Sequence, residues 1–257
     1  IACMPNTAPV NDNFEVSRLI LDRAKKIGLV NIFPVAAISK NLESIEPTDM
    51  KVLVELGVIG FSDDGRCVMN AALFKEALLI AKSLRVPLIE HPEDHNLSKD
   101  GQVNEGAISA ALGVNGIPAA AEDVIIDRDL RLQEEVNSFL HLTHISTAGA
   151  VRWIREAKTR GVHVSCDATP HHLLLNESVL AHGDPVFKMK PPLRTETDRL
   201  ALVEGLQSGV IDCIASDHAP HSREEKGTPF ITAPFGVIGM ETSFPVIYDR
   251  LVRPGFI

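Results

Sequence analysis

Cysteine is scarce in this chain of 257 residues: there are four, Cys3, Cys67, Cys166 and Cys213, and no two stand at metal-finger spacing. Each sits in or beside an apolar segment, which predicts small buried hydrophobes in a reduced, cytoplasmic protein rather than a disulfide framework. Basic charge is in deficit. Lys+Arg 25 against Asp+Glu 34 gives a formal net charge of -9, and a general nucleic-acid binder needs a basic face that such a balance does not supply. No apolar run reaches the roughly 18 residues of a membrane span. The N-terminus has no basic region leading into an apolar stretch and cleavage site, so neither a membrane nor a secretory role is expected. Gly 17 and Pro 16 are too few and too scattered for a linker or a collagen-like chain. The G-x-G-x-x-G turn, the P-loop, the G-x-S-x-G elbow and a Cys–His signature are also missing. Their absence argues against a nucleotide cofactor and a covalent serine or cysteine route.

What remains is a chain that is 45% hydrophobic, enough for one large core. Short runs rich in Val and Ile lie at 1–4, 29–35, 58–61, 86–90, 139–144, 162–166 and 210–215. Several lack a polar alternate face, as expected of strands covered on both sides. Helical spacing lies between them, over 14–27 after the cap cluster Asn11-Asp12-Asn13, over 47–56 from Pro47, and over 71–84. Two more helices are predicted, one over 148–160 with Val151, Ile154 and Ala157 inward, one over 197–207 with Leu200, Val203 and Leu206 inward. Seven strands separated by helices predict an α/β fold, a TIM-like (β/α)8 barrel that is incomplete. The opening Ile1-Ala2-Cys3-Met4-Pro5 reads as the end of a strand, and Phe256-Ile257 follows a Pro-Gly pair. Residues 1–257 are therefore expected to be a single partial barrel domain, an internal piece of a longer chain.

In parallel barrels the chemistry gathers at the C-terminal ends of strands. Those positions here carry Asn6, Asp63 and Asp64, His91, His144, Asp167 with His171-His172, and Ser216-Asp217-His218 with His221. Of 10 histidines, seven (His91, His95, His144, His171, His172, His218, His221) lie at or just past a strand end. Any one of them alone is most simply a helix cap or a hydrogen-bonded residue at the edge of the core. Four strand ends meeting at one rim favour a metal cluster instead. Histidine and carboxylate without thiolate suit zinc or a similar divalent ion in a hydrolytic site, with one or two ions. From the residues alone this reaches hydrolysis of an amide-like bond and no further.

The motifs then carry a resemblance. Cys3-Met4-Pro5-Asn6-Thr7, Phe61-Ser62-Asp63-Asp64-Gly65, Ile89-Glu90-His91-Pro92-Glu93-Asp94 and His144-Ile145-Ser146-Thr147 come in family order. Thr169-Pro170-His171-His172-Leu173, Pro191-Pro192-Leu193-Arg194, Ser216-Asp217-His218-Ala219-Pro220-His221 and Ala233-Pro234-Phe235-Gly236 follow in the same order. Together they resemble the dihydroorotases of the long bacterial type, within the amidohydrolase superfamily. The resemblance implies Asp64 as a ligand bridging two metals, His91 and His144 as ligands of the second metal, and Asp217 as both a ligand of the first metal and the catalytic acid/base. It implies Asn6 and His221 as holders of the substrate carboxylate and the loop Ala233, Pro234 and Gly236 as the one that meets the ring. His171, His172 and Lys190 are expected in supporting positions, Lys190 standing where relatives carry Asn or Arg.

The same resemblance implies a small-molecule substrate and the reversible cyclisation of N-carbamoyl-L-aspartate to L-dihydroorotate and water in pyrimidine synthesis. It implies zinc as cofactor, and either a homodimer or an assembly with aspartate carbamoyltransferase. The family's first strand, with His-x-His, and its small β domain have no counterpart between residues 1 and 257, so the chain alone is expected to be weakly active and poorly soluble. Two rivals stand beside this reading, another cyclic-amide hydrolase such as an allantoinase or dihydropyrimidinase, and a non-catalytic scaffold subunit.

Overall fold

The computed structural model describes residues 1–257. The strands are β1 (Ala2–Cys3), β2 (Phe33–Ala36), β3 (Gly60–Phe61), β4 (Leu88–Glu90), β5 (Val103–Asn104), β6 (Gly116–Ile117), β7 (Leu140–Leu142), β8 (Val164–Ala168) and β9 (Cys213–Ile214). The helices are α1 (Phe14–Ile27), α2 (Met50–Leu56), α3 (Ala71–Leu84), α4 (Ala107–Leu112), α5 (Ala120–Val136), α6 (Ala148–Thr159), α7 (Pro170–Leu174), α8 (Glu196–Gln207), α9 (Arg223–Lys226) and α10 (Ser243–Ile247). Seven strands make one parallel sheet in the order β1-β2-β3-β4-β7-β8-β9, an open and incomplete barrel; β5 and β6 pair apart from it. All seven expected strands are present, six of them shorter than their apolar runs and β8 as long as its run but shifted two residues along the chain. Parallel register pairs Val35 with Gly60, and runs from Leu88 opposite Leu140 to Glu90 opposite Leu142. No helix is long and apolar enough to cross a membrane.

Chain proximity divides the protein into two compact units, Ile1–His95 with Asp127–Leu142 and Ala157–Val164, and Asn96–Ile126 with Thr143–Glu156 and Ser165–Ile257. In the first, Val35, Ala36, Phe61 and Leu88 from the strands and Phe74, Leu78 and Ala81 from α3 are fully buried. In the second, Ile117, Ile126, Ile145, Ile154, Cys166 and Leu173 form the corresponding core.

Local chemistry sets the helix ends. The Asn13 side chain accepts from Val16 N and opens α1, and Gly28 closes it at φ 65. Asn70 accepts from the amides of Ala72 and Leu73 and opens α3 where the spacing placed it. The helix expected from Pro47 starts later, at Met50, because Asp49 supplies the cap to Val52 N and the Thr48 hydroxyl is turned back to the carbonyl of Ala37. In α6 the expected inward face holds, with Val151, Ile154 and Ala157 all buried.

Elsewhere the expectation needs correcting. The inward residues of α8 are Leu202 and Gly205, while Leu200 is 52% exposed, so the buried stripe is rotated from the one that the leucine spacing suggested. Cys67 and Cys166 are buried as expected, but Cys213 is exposed on β9, a strand at the edge of the sheet, and Cys3 is half-buried. Helices α4, α5 and α7 and the β5–β6 pair were not anticipated.

Candidate metal centre

The loop after β3 gives two adjacent aspartates opposite duties. Asp63 faces inward and accepts from Ile38 N at 2.8 Å, from Ser39 N at 3.0 Å and from the Ser39 hydroxyl, so its carboxylate is a buried brace for the chain leaving β2. Asp64 turns the other way and accepts from Asn6 Nδ2 at 3.1 Å. Gly65 permits the turn at φ 80; a Cβ there would lie 3.1 Å from Asn6 Nδ2.

His91 follows β4. Its Nδ1 is 3.7 Å from Asp64 Oδ1 and its Nε2 is 3.7 Å from Glu93 Oε2. Glu93 continues to His95 Nδ1 at 3.5 Å, and His95 Nε2 accepts from Cys67 N at 2.9 Å. Burial opposes a charge on His91, yet the carboxylates of Asp64 and Glu93 outweigh it and push the imidazole up to about 10. Surroundings that draw a proton so strongly suit a divalent cation, and the donor set of nitrogen and carboxylate oxygen suits zinc-like ions.

His144 follows β7 and is held on the left-handed side of backbone space at φ 40. Asp167 of β8 secures it: one carboxylate oxygen accepts from His144 N at 2.8 Å, the other from Thr143 Oγ1 at 3.0 Å. The next residues are secured by Glu122 of α5, which accepts from Ser146 N at 2.8 Å and Thr147 N at 3.1 Å. Arg194 closes that network, donating to Ser146 Oγ at 3.1 Å, Asn104 Oδ1 at 3.0 Å and the carbonyl of Ile117 at 2.7 Å.

Asp64 and His91 face each other in the first unit and His144 stands in the second, all three buried and all three of a type that binds divalent metal. Both oxygens of Asp167 already accept hydrogen bonds. Asp217 follows β9, half-buried, at φ 45.

His172 is a satisfied core residue. Its Nε2 faces the carbonyl of Pro191 at 3.0 Å and its Nδ1 faces the hydroxyl of Thr169 at 2.8 Å. Burial lowers it to about 3, and burial likewise holds its neighbour His171 well below the usual imidazole range. A cavity of about 460 Å³ brings together His171, His221 and Gly236 with apolar residues including Leu174, Met189 and Val246. His221 Nε2 lies 2.8 Å from the carbonyl of Phe235, and His218 Nδ1 accepts from Gly239 N at 2.9 Å. Lys190 Nζ sits 5.6 Å from the centre of the Phe235 ring.

A family model described as dihydro-orotase-like matches residues 1–150. The chain belongs to this family. Among its dihydro-orotase-like relatives are a dihydroorotase of Caldicellulosiruptor saccharolyticus, 47% identical over 98% of this chain and 59% of its own length, and one of Syntrophus aciditrophicus, 48% identical over 95% and 57%. The chain thus spans less than two thirds of the length of the curated relatives it matches. Among solved structures, an L-hydantoinase from Arthrobacter aurescens superposes with a TM-score of 0.82 at 23% identity, over 100% of this chain and 59% of that one. A Saccharomyces cerevisiae dihydroorotase in complex with 5-fluoroorotic acid gives 0.79 at 19% identity, over 98% of this chain and 70% of that one. At those identities the likeness is one of fold.

The residue-by-residue reading missed Glu93, Asp167, Glu122, Arg194 and Lys188 as organisers. Asp167, Glu93 and Arg194 stood inside the motifs or at a strand end. Glu122 lies in a helix whose apolar period is broken by its own buried polar residues, and Lys188 stood outside every expected strand and helix.

Proposed function

We propose that this chain carries the metal-dependent site of a dihydroorotase, interconverting N-carbamoyl-L-aspartate with L-dihydroorotate and water. The observation that carries the reading is the buried pair of Asp64 and His91, with Oδ1 and Nδ1 3.7 Å apart, supported by the 47% identity to a dihydroorotase. Asp64, His91 and His144 would hold a divalent ion, zinc by its donor set, which supplies Lewis-acid polarisation of a carbonyl and acidification of water. Asp217 takes the proton of the attacking water and delivers it to the departing ring nitrogen; in cyclisation it returns that proton to the departing oxygen. Asn6 and His221 hold the substrate carboxylate, the loop from Ala233 to Gly236 lies against the ring, and Lys190 adds a positive charge beside Phe235 for an anionic substrate. Four cysteines without a disulfide support a reducing, cytoplasmic compartment. Pairing of subunits or assembly with aspartate carbamoyltransferase rests on the family resemblance, and sedimentation with and without that partner tests it.

The test is elemental analysis of the purified chain together with dihydroorotate hydrolysis after zinc addition, with hydantoin, allantoin and dihydrouracil alongside. Bound zinc with weak turnover, of dihydroorotate and not of the other cyclic amides, is the expected result. Preference for another cyclic amide would reassign the substrate, and no metal at all would remove the basis of the proposal. Asp217→Ala is expected to cut turnover at least about a hundredfold, the usual weight of a positioned acid/base.

A further inference from the structure

Lys188 stands in the segment before the cis Lys190-Pro191 bond and is 1% exposed. A buried ammonium is costly unless every proton finds an acceptor. Here three do, all of them backbone carbonyls of one loop: Phe230 O at 2.8 Å, Ile231 O at 3.1 Å and Ala233 O at 2.7 Å. The rings of Phe230 and Phe235 close over the same charge, their centres 5.4 and 4.5 Å away. The next carbonyl, that of Pro234, is taken at 2.9 Å by Lys226 Nζ, which also reaches the carbonyls of Pro185 at 3.0 Å and Lys188 at 2.9 Å. Finally Gly236 N donates back to the carbonyl of Lys188 at 3.0 Å.

The loop from Pro229 to Gly236 is therefore folded with its carbonyls inward, around two lysines. Without positive charge at the centre, those carbonyl dipoles would face one another with nothing between them. The partners of Lys188 Nζ are carbonyls and aromatic rings of this loop, so the loop itself answers the charge. An aliphatic side chain would fill the space but leave those carbonyls without a donor, which makes the ammonium a device for shaping the backbone.

We propose that Lys188 is a positioning residue, and that with Lys226 it holds the loop from Pro229 to Gly236 in the shape that receives the substrate. The inference rests on the functional reading above, in which Ala233, Pro234 and Gly236 meet the substrate ring. The Lys188 ammonium bonds to carbonyls of the loop and acts through it. Burial and the neighbouring Lys226 lower its ammonium to about 8, in keeping with a charge held by dipoles alone.

The test compares the wild-type chain with Lys188→Met and Lys226→Met. Amide hydrogen exchange is read by mass spectrometry, and kcat and KM are read with dihydroorotate. Loss of charge-assisted hydrogen bonds to one loop should speed exchange of residues 229–236 by about tenfold or more, leaving α6 unchanged. KM should rise about tenfold while kcat falls by no more than about threefold. Unchanged loop exchange in a folded Lys188→Met protein would overturn the proposal, as would a uniform rise over the whole molecule. If Lys188→Met does not fold, Lys226→Met, at a half-buried position, reads the same loop and decides by the same criterion. A wild-type chain that fails to turn over dihydroorotate would defeat the functional reading, while the exchange data would still judge the clamp.

Discussion

Adjacent residues in this protein have unrelated work, and Asp63 and Asp64 show why type and position alone do not separate them. Asp63 satisfies two buried backbone amides and a hydroxyl. Asp63→Ala strands those donors and is expected to cost about 3 kcal/mol or more of stability in urea unfolding. Asp64 instead faces His91 Nδ1 at 3.7 Å and is a proposed metal ligand. Asp64→Asn keeps the shape and an oxygen for Asn6, so it should melt within about 2 °C of wild type. Zinc affinity by competition with a chelator should nonetheless fall by more than about tenfold, since an amide oxygen is a poorer donor than a carboxylate. Equal stability loss in the two variants would contradict this division of labour.

At the scale of the element, the legible parts are those where apolar spacing matches burial. The helix over 71–84 appeared in the structure at the expected residues because Phe74, Leu78 and Ala81 form its buried face and Asn70 caps it. The seven strands were legible for the same reason, and their ends drew attention to Asp64, His91 and His144. Helix α5 was not, because its buried face mixes Ala121, Ile125, Ile126, Leu130 and Val136 with Glu122, Asp129 and Gln133, and the carboxylates and the amide interrupt the apolar stripe. Those polar residues are what tie the helix to its surroundings. Glu122→Gln removes the charge that Arg194 faces at 3.7 Å and weakens the acceptor of Ser146 and Thr147. Breaking a buried pair of this kind should cost about 3 kcal/mol. By loosening the segment that follows His144 it should also lower zinc affinity about tenfold. Asp198 offers a second test. It completes the Thr195 capping box of α8 and accepts from Ala148 N at 2.9 Å, the first residue of α6. One side chain therefore caps two helices, and Asp198→Ala should lose about 2 kcal/mol, twice an ordinary cap. A loss of about 1 kcal/mol or less in urea unfolding would mean that one of the caps is replaced by water.

For the molecule as a whole, buried neutral histidines weaken the fold on acidification. His172 is fully satisfied as the Nε2–H tautomer, donating to Pro191 O and accepting the Thr169 hydroxyl proton at Nδ1. A proton added at Nδ1 would displace that hydroxyl and place a charge in the core, which is why burial lowers the group from 6.5 to about 3. The unfolded chain takes up a proton near pH 6.5 and the folded chain does not, so between those values the unfolded state binds more protons and stability falls as pH falls. One such group contributes a slope of about 1.4 kcal/mol per pH unit, and His171, also held neutral, adds in the same direction. The stabilities of wild type and His172→Gln, measured by urea unfolding from pH 7 to pH 4, should therefore converge on acidification. Glutamine can make both hydrogen bonds but has no proton to gain, so its curve should be shallower below about pH 6.5 by the contribution of one group. Parallel curves would mean that His172 is protonated in the folded protein. The Pro191 carbonyl would then face a cation, and the neutral pairing with Thr169 would be wrong.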